Sequence, residues 1–292
     1  MCDNDAFDDM IKYGSGPGAL TRRQFGALGV GAGVASLLPI SADAADVKGS
    51  DVEIKTPDGT CDAYFVHPTK GRHPAVLVWP DIFGLRPAFK QMGERLAGSG
   101  YSVLVPNPFY RKKKAPTAPA NPDFNDPATR GSLMGLMGSL TADTMFTDAR
   151  AFVPWLDKQR SVDPHRKMGT TGYCMGGPFV FRTAAAFPER IGGGATFHGA
   201  GLVTKAPDSP HLLVPKIKAH FLIAIAESDD MQQPEAKDVL RAAFAKAENP
   251  AEVEVYTGTK HGWCPPDSRV YDHDQAEHAW TRLLATFKTA LA

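Results

Sequence analysis

The sequence predicts an α/β protein with a mostly parallel central sheet and helices on both of its faces. Three observations lead there. Short runs of Val, Leu, Ile and Ala recur along the chain, several nearly continuous, as strands covered on both faces must be. Between them lie longer segments whose apolar residues fall at helical spacing. Strand and helix alternate, which is the order that builds a parallel sheet. Composition agrees, since 43% hydrophobic and 22% charged residues in 292 describe an ordinary globular chain and exclude a disordered or collagen-like one. Lys plus Arg and Asp plus Glu both number 32, so no overall field favours nucleic acid or anionic lipid. Four cysteines are too few for a disulfide-built scaffold, which leaves core formation to hydrophobic burial.

Taken in order, strands are expected at 51–54 and 63–67, joined by Pro57-Asp58-Gly59-Thr60. In that turn proline presets φ and glycine tolerates positive φ, so the pair reads as a hairpin. Further strands are expected at 75–79, 101–105, 167–171, 194–197, 220–226 and 253–256. Helices are expected at 87–99, opened by Pro87, and at 141–159, where Met145, Phe146, Ala149, Phe152 and Leu156 share a face and Pro154 should introduce a kink. Three more follow at 176–187, 234–247 and 271–291. The stretch 107–140, rich in Pro, Asn and Lys, breaks the rhythm and is either a functional lid or locally helical packing. With no internal repeat and no boundary signal, 45–292 reads as a single domain.

Residues 1–44 read as an address. Arg22 and Arg23 precede Gln24-Phe25, an uncharged run follows over 26–40, and Ala42-Asp43-Ala44 offers a small-x-small cleavage site. The arrangement resembles a twin-arginine export signal, and it predicts cleavage after Ala44 and a periplasmic or otherwise exported protein. The fifteen residues of the apolar run, if helical, reach about 22 Å, short of a hydrocarbon core of about 30 Å. No membrane association beyond export is expected. In an oxidising compartment Cys61 and Cys264 are a candidate disulfide that would leave Cys174 free.

The chemistry concentrates at Gly172-Tyr173-Cys174-Met175-Gly176-Gly177, between a predicted strand and a predicted helix. This is the nucleophile-elbow pattern with cysteine as the nucleophile. A sharp strand-to-helix turn brings backbone against backbone, so side chains at the second residue on either side of Cys174 would collide; Gly172 and Gly176 remove them. The turn also puts Cys174 at a helix N-terminus, which favours thiolate. An acid and a base follow in the chain order such sheets use: Asp229 or Asp230 after the strand 220–226, then His261 after the strand 253–256. Residues just past strand carboxyl ends meet at one sheet edge.

Trp79-Pro80-Asp81-Ile82-Phe83-Gly84, Pro106-Asn107-Pro108-Phe109-Tyr110-Arg111, the Gly-Tyr-Cys-Met-Gly-Gly elbow and His261-Gly262 together resemble the dienelactone hydrolase family of α/β-hydrolases. The resemblance implies an α/β-hydrolase fold and a Cys-His-Asp triad that opens small-molecule esters or lactones through a thioester, with no metal or cofactor. It assigns Cys174 as nucleophile, His261 as base and Asp229, in preference to Asp230, as acid. It implies backbone donors at Ile82 and Met175 for the oxyanion. Asp81 stands where the family has a carboxylate that helps control the thiol, and Arg111 where it has a substrate-binding arginine. A second family arginine, four residues after the histidine, is replaced by Pro265.

Several neighbours have blander readings. His198 is either a strand-end structural residue or a substrate contact, Lys112-Lys113-Lys114 a solvated charge run or an anion lure, and Trp79 and Trp263 core or pocket rim. His261 and Cys264 lack the second close ligand pair that zinc would want. Two other classes compete with the enzyme: a non-catalytic ligand-binding protein on the same fold, and a thiol redox protein using Cys174. The latter usually needs a resolving cysteine close by, and no Cys-x-x-Cys occurs.

Overall fold

The computed structural model describes residues 45–120 and 122–292. The export signal expected at 1–44 lies outside them. Eight strands form one sheet in the order β1-β2-β4-β3-β5-β6-β7-β8: β1 (Val47–Thr56), β2 (Gly59–Pro68), β3 (Ala75–Trp79), β4 (Ser102–Pro106), β5 (Met168–Tyr173), β6 (Ile191–Phe197), β7 (His220–Ala226) and β8 (Ala251–Tyr256). β2 pairs antiparallel with both β1 and β4, and every pair from β4 to β8 is parallel. This is the sheet of an α/β-hydrolase fold. The helices are α1 (Pro87–Gly98), α2 (Pro127–Met137), α3 (Ala142–Asp157), α4 (Gly177–Ala186), α5 (Glu227–Gln232), α6 (Ala236–Lys246) and α7 (His273–Ala290).

Alternation along β3 divides the core. Val76 and Val78 pack with Phe89 and Leu96 of α1 and Leu283 and Phe287 of α7. Ala75, Leu77 and Trp79 point the other way, to Phe152 and Leu156 of α3, Phe181 of α4 and Phe244 of α6. Full burial of a Leu or Phe side chain contributes about 1.5–3 kcal/mol, so both faces draw their stability from this contact.

The same division corrects the proposed disulfide. Cys61 packs in the α3 and α4 layer and Cys264 in the α1 and α7 layer, so the sheet stands between them and all three described cysteines are free. Trp79 and Trp263 are core residues with no exposure. The hairpin is longer than its apolar content suggests, because ladder pairing with β2 carries β1 back to Val47 although that strand is mostly exposed. Pro154 lies within α3, which continues to Asp157; the hydrogen bond that proline removes falls in the last turn. Within 107–140, α2 is N-capped by Asp126, whose carboxylate accepts from the Thr129 backbone N–H at 2.8 Å. Phe109, Phe124 and Leu133 are buried together with Ile82, Cys174 and Met175. Part of this stretch is therefore helical and packs onto the elbow.

Candidate active site

β5 ends at Tyr173, and the chain turns through a single 3₁₀ turn, Cys174–Gly176, into α4. Cys174 sits at φ 53, left-handed backbone that a non-glycine residue rarely adopts. Space explains the flanking glycines. A Cβ on Gly172 would lie 2.3 Å from the Gly176 carbonyl oxygen, and one on Gly176 would lie 2.4 Å from that of Trp79. Neither has positive φ, so close backbone approach, and not turn conformation, demands glycine here.

The loop after β8 is stitched to α5. Thr259 Oγ1 donates to the Tyr256 carbonyl at 2.6 Å, Ser228 N–H donates to the Thr259 carbonyl at 3.3 Å, and His261 N–H donates to Ser228 Oγ at 2.9 Å. These bonds bring His261 Nδ1 to 2.9 and 3.0 Å from the Asp229 carboxylate oxygens. Asp230 faces away and binds Lys237 Nζ at 2.7 and 2.9 Å. Helical geometry separates the two acids, since neighbouring residues on α5 point about 100° apart. His261 is 3% exposed. Burial opposes charge on its imidazole, but Asp229 and then Cys174 outweigh it and hold its pKa well above the usual range. Its Nε2 makes no well-formed hydrogen bond, a looseness common in resting catalytic sites.

Cys174, His198 and His261 line one cavity with Asp81, Phe124 and Arg269. Ile82 and Met175, each 1% exposed, pack in the same small buried cluster as Cys174. Asp81 does not stand free. Arg86 grips its carboxylate with Nη1 at 2.6 Å and Nη2 at 2.9 Å, and the Phe83 N–H donates at 2.9 Å. Burial pushes this carboxyl up while Arg86 draws it back down. Arg86 also binds Asp267, with Nε at 2.7 Å and Nη2 at 2.9 Å.

The expectation for Arg111 requires correction. Its guanidinium donates to the buried Asp148 at 2.9 and 2.7 Å and to Asp58 at 2.8 Å, and it stacks on Tyr110. It braces the hairpin against α3 and does not line the cavity. Lys113 Nζ donates to the Thr117 carbonyl and Lys114 binds Glu53, so the lysine run lies outside the cavity too. The cavity's arginines, Arg86 and Arg269, escaped sequence reasoning, as did Asp267. Arg269 pairs with Asp123 at 3.1 Å across the cavity's two outer loops. No spacing or motif marks these residues; only the fold brings their loops to one rim. His198 is the other surprise. It is 1% exposed, has left-handed backbone at φ 42, and neither ring nitrogen meets a partner from another described residue. A buried polar group left so typically costs about 1–3 kcal/mol.

An elbow at the end of β5, an acid after β7 and a histidine after β8, meeting at one edge of this sheet, are the arrangement of an α/β-hydrolase. The particular family follows: the dienelactone hydrolase family model matches residues 61–291, and the chain belongs to that family. It is 29% identical over 223 residues to Protein usf of Aquifex pyrophilus, covering 75% of this chain and 89% of that one. It is 25% identical over 221 residues to a carboxymethylenebutenolidase of Rhodococcus opacus, covering 72% and 78%. A crystal structure of a dienelactone hydrolase-like promiscuous phosphotriesterase from metagenomic libraries superposes with a TM-score of 0.69 at 20% identity, covering 84% and 99%.

Proposed function

We propose that the protein hydrolyses small carboxylic esters or lactones with Cys174 as nucleophile, His261 as base and Asp229 as acid. The observation that carries this reading is His261, buried between the Asp229 carboxylate and the thiol of a strained elbow residue. The Cys174 thiolate attacks the carbonyl carbon, and the oxyanion takes hydrogen bonds from the backbone N–H groups of Met175 and Ile82. One such donor typically contributes about 3 kcal/mol to the transition state. His261 protonates the departing alkoxide, leaving a thioester and a neutral imidazole that accepts a proton from water in the second half. Asp229 holds the imidazole in the tautomer this needs. Asp81, in this scheme, tunes the thiol through its bond to Arg86. No step calls for a metal or cofactor.

The test is hydrolysis of p-nitrophenyl acetate and a small panel of enol-lactones by residues 45–292, beside Cys174→Ala. Activity in the parent and none in the variant is expected; equal activity in both would remove Cys174 from the mechanism. Delivery by a twin-arginine signal cleaved after Ala44 is a separate proposal, checked by N-terminal sequencing of the exported protein.

A further inference from the structure

Among the described residues, three non-glycine positions have left-handed backbone, and two of them, Cys174 and His198, stand in the wall of the same cavity. Strain of this kind persists where the surroundings over-determine it, and it gathers at working sites. His198 caps the carboxyl end of β6. Its N–H donates to the Ala224 carbonyl at 2.8 Å, and two residues on, Ala200 N–H donates to the Cys174 carbonyl at 3.0 Å, so its backbone is tied to both β7 and the elbow. Rings hold the side chain from several directions. His261 lies 5.0 Å away, Trp263 5.1 Å and Tyr173 6.0 Å, centroid to centroid. The imidazole is thus aimed and buried while both of its nitrogens are left without a bond to any other described residue. Among the described residues, its own backbone is the sole group near enough to hydrogen-bond the ring, which leaves bonding capacity directed at the cavity.

We propose that His198 is a second catalytic histidine, which binds and orients the water that hydrolyses the Cys174 thioester; this rests on the hydrolase reading above. Burial, and then the neighbouring charge on His261, hold the His198 pKa well below the ordinary value, so its ring stays neutral. A neutral imidazole has one acceptor nitrogen and one donor nitrogen. The acceptor takes one hydrogen of the water while His261 Nε2 takes the other as a proton. The water oxygen then forms its bond to the thioester carbon, the C–S bond breaks, and its electron pair returns to the Cys174 sulfur. The acid leaves, and the proton remains on His261 as imidazolium beside thiolate, ready for the next ester. Because His198 does not become protonated, it cannot take the proton that His261 must carry.

The experiment separates the two half-reactions with p-nitrophenyl acetate. For His198→Phe, the first equivalent of p-nitrophenol should appear as fast as in the parent, while steady turnover falls about tenfold or more. Acetylated Cys174 should then accumulate and be visible as a mass adduct, and hydroxylamine, which attacks thioesters without help, should restore turnover. His198→Asn, which keeps a donor and an acceptor, should fall between parent and Phe variant, and it decides the matter alone if the Phe variant does not fold. Unchanged turnover in the folded variants overturns the assignment, as does equal loss of burst and turnover without an adduct. A parent with no Cys174-dependent burst would instead overturn the hydrolase reading, and this inference with it.

Discussion

Two arginines, Arg86 and Arg111, are each about nine-tenths buried and each grip two aspartates, yet they occupy opposite situations. Arg111 is closed off: Asp148, its main partner, has no exposure and ties α3 to the hairpin turn through Tyr110 and Asp58. Arg86 is half open: Asp81 is buried, but Asp267 remains 34% exposed at the cavity mouth. The same contrast separates the two histidines of the site. His261 has its partner in Asp229, whereas His198 has none from any other described residue. Polar groups sealed inside a fold serve its stability; those left with unspent bonding capacity beside a cavity are available to a ligand.

The sharpest way to break the comparison is Asp148→Ala. It removes the buried partner of the Arg111 guanidinium and leaves it only the more exposed Asp58, and removing one partner of a buried pair costs about 3–5 kcal/mol. The chemical denaturation midpoint should fall accordingly, while activity per folded molecule holds; lost activity with intact folding would return Arg111 to the site.

The histidines offer a test of opposite sign. The folded-state pKa of His261 is raised, so its contribution to stability is fully present below the unfolded value near 6.5 and is lost as pH rises through the folded pKa. That of His198 is lowered, so its contribution is present above about 6.5 and is lost as pH falls from there toward the folded value. Denaturation between pH 5 and 9 should therefore show His198→Asn flattening the acid side of the parent's profile and His261→Asn the alkaline side. The slope removed is at most about 1.4 kcal/mol per pH unit. Identical profiles for the two variants would show that the two rings do not titrate apart.

The smallest effect is expected at the open end of Arg86. Asp267→Asn leaves Asp81 in place, so stability should change by under about 1 kcal/mol. The rim nevertheless loses one negative charge, and kcat/KM for an anionic ester relative to its neutral analogue should rise a few-fold at low salt and less at 0.5 M, as screening requires. A ratio indifferent to the substitution would close Arg86 off as thoroughly as Arg111.

The sequence by itself determined the α/β alternation, and it placed a glycine-flanked cysteine, a pair of aspartates and a histidine after successive strands, because each rests on local chemistry: apolar runs, glycines where backbones nearly touch, and residues placed at strand ends. It left two neighbouring aspartates as candidates, and rotation along α5 turns Asp229 to His261 and Asp230 to Lys237. Its reading of Arg111 failed because a motif reports which residue is present and not where a guanidinium finds its carboxylates. The tertiary structure alone decided that. It also decided that Cys61 and Cys264 lie across the sheet from each other, that Arg86, Asp267 and Arg269 gather at the cavity, and that His198 faces it without a partner. Such facts join residues far apart in the chain, where no periodicity or spacing carries a signal, and they come into being only when the layers pack.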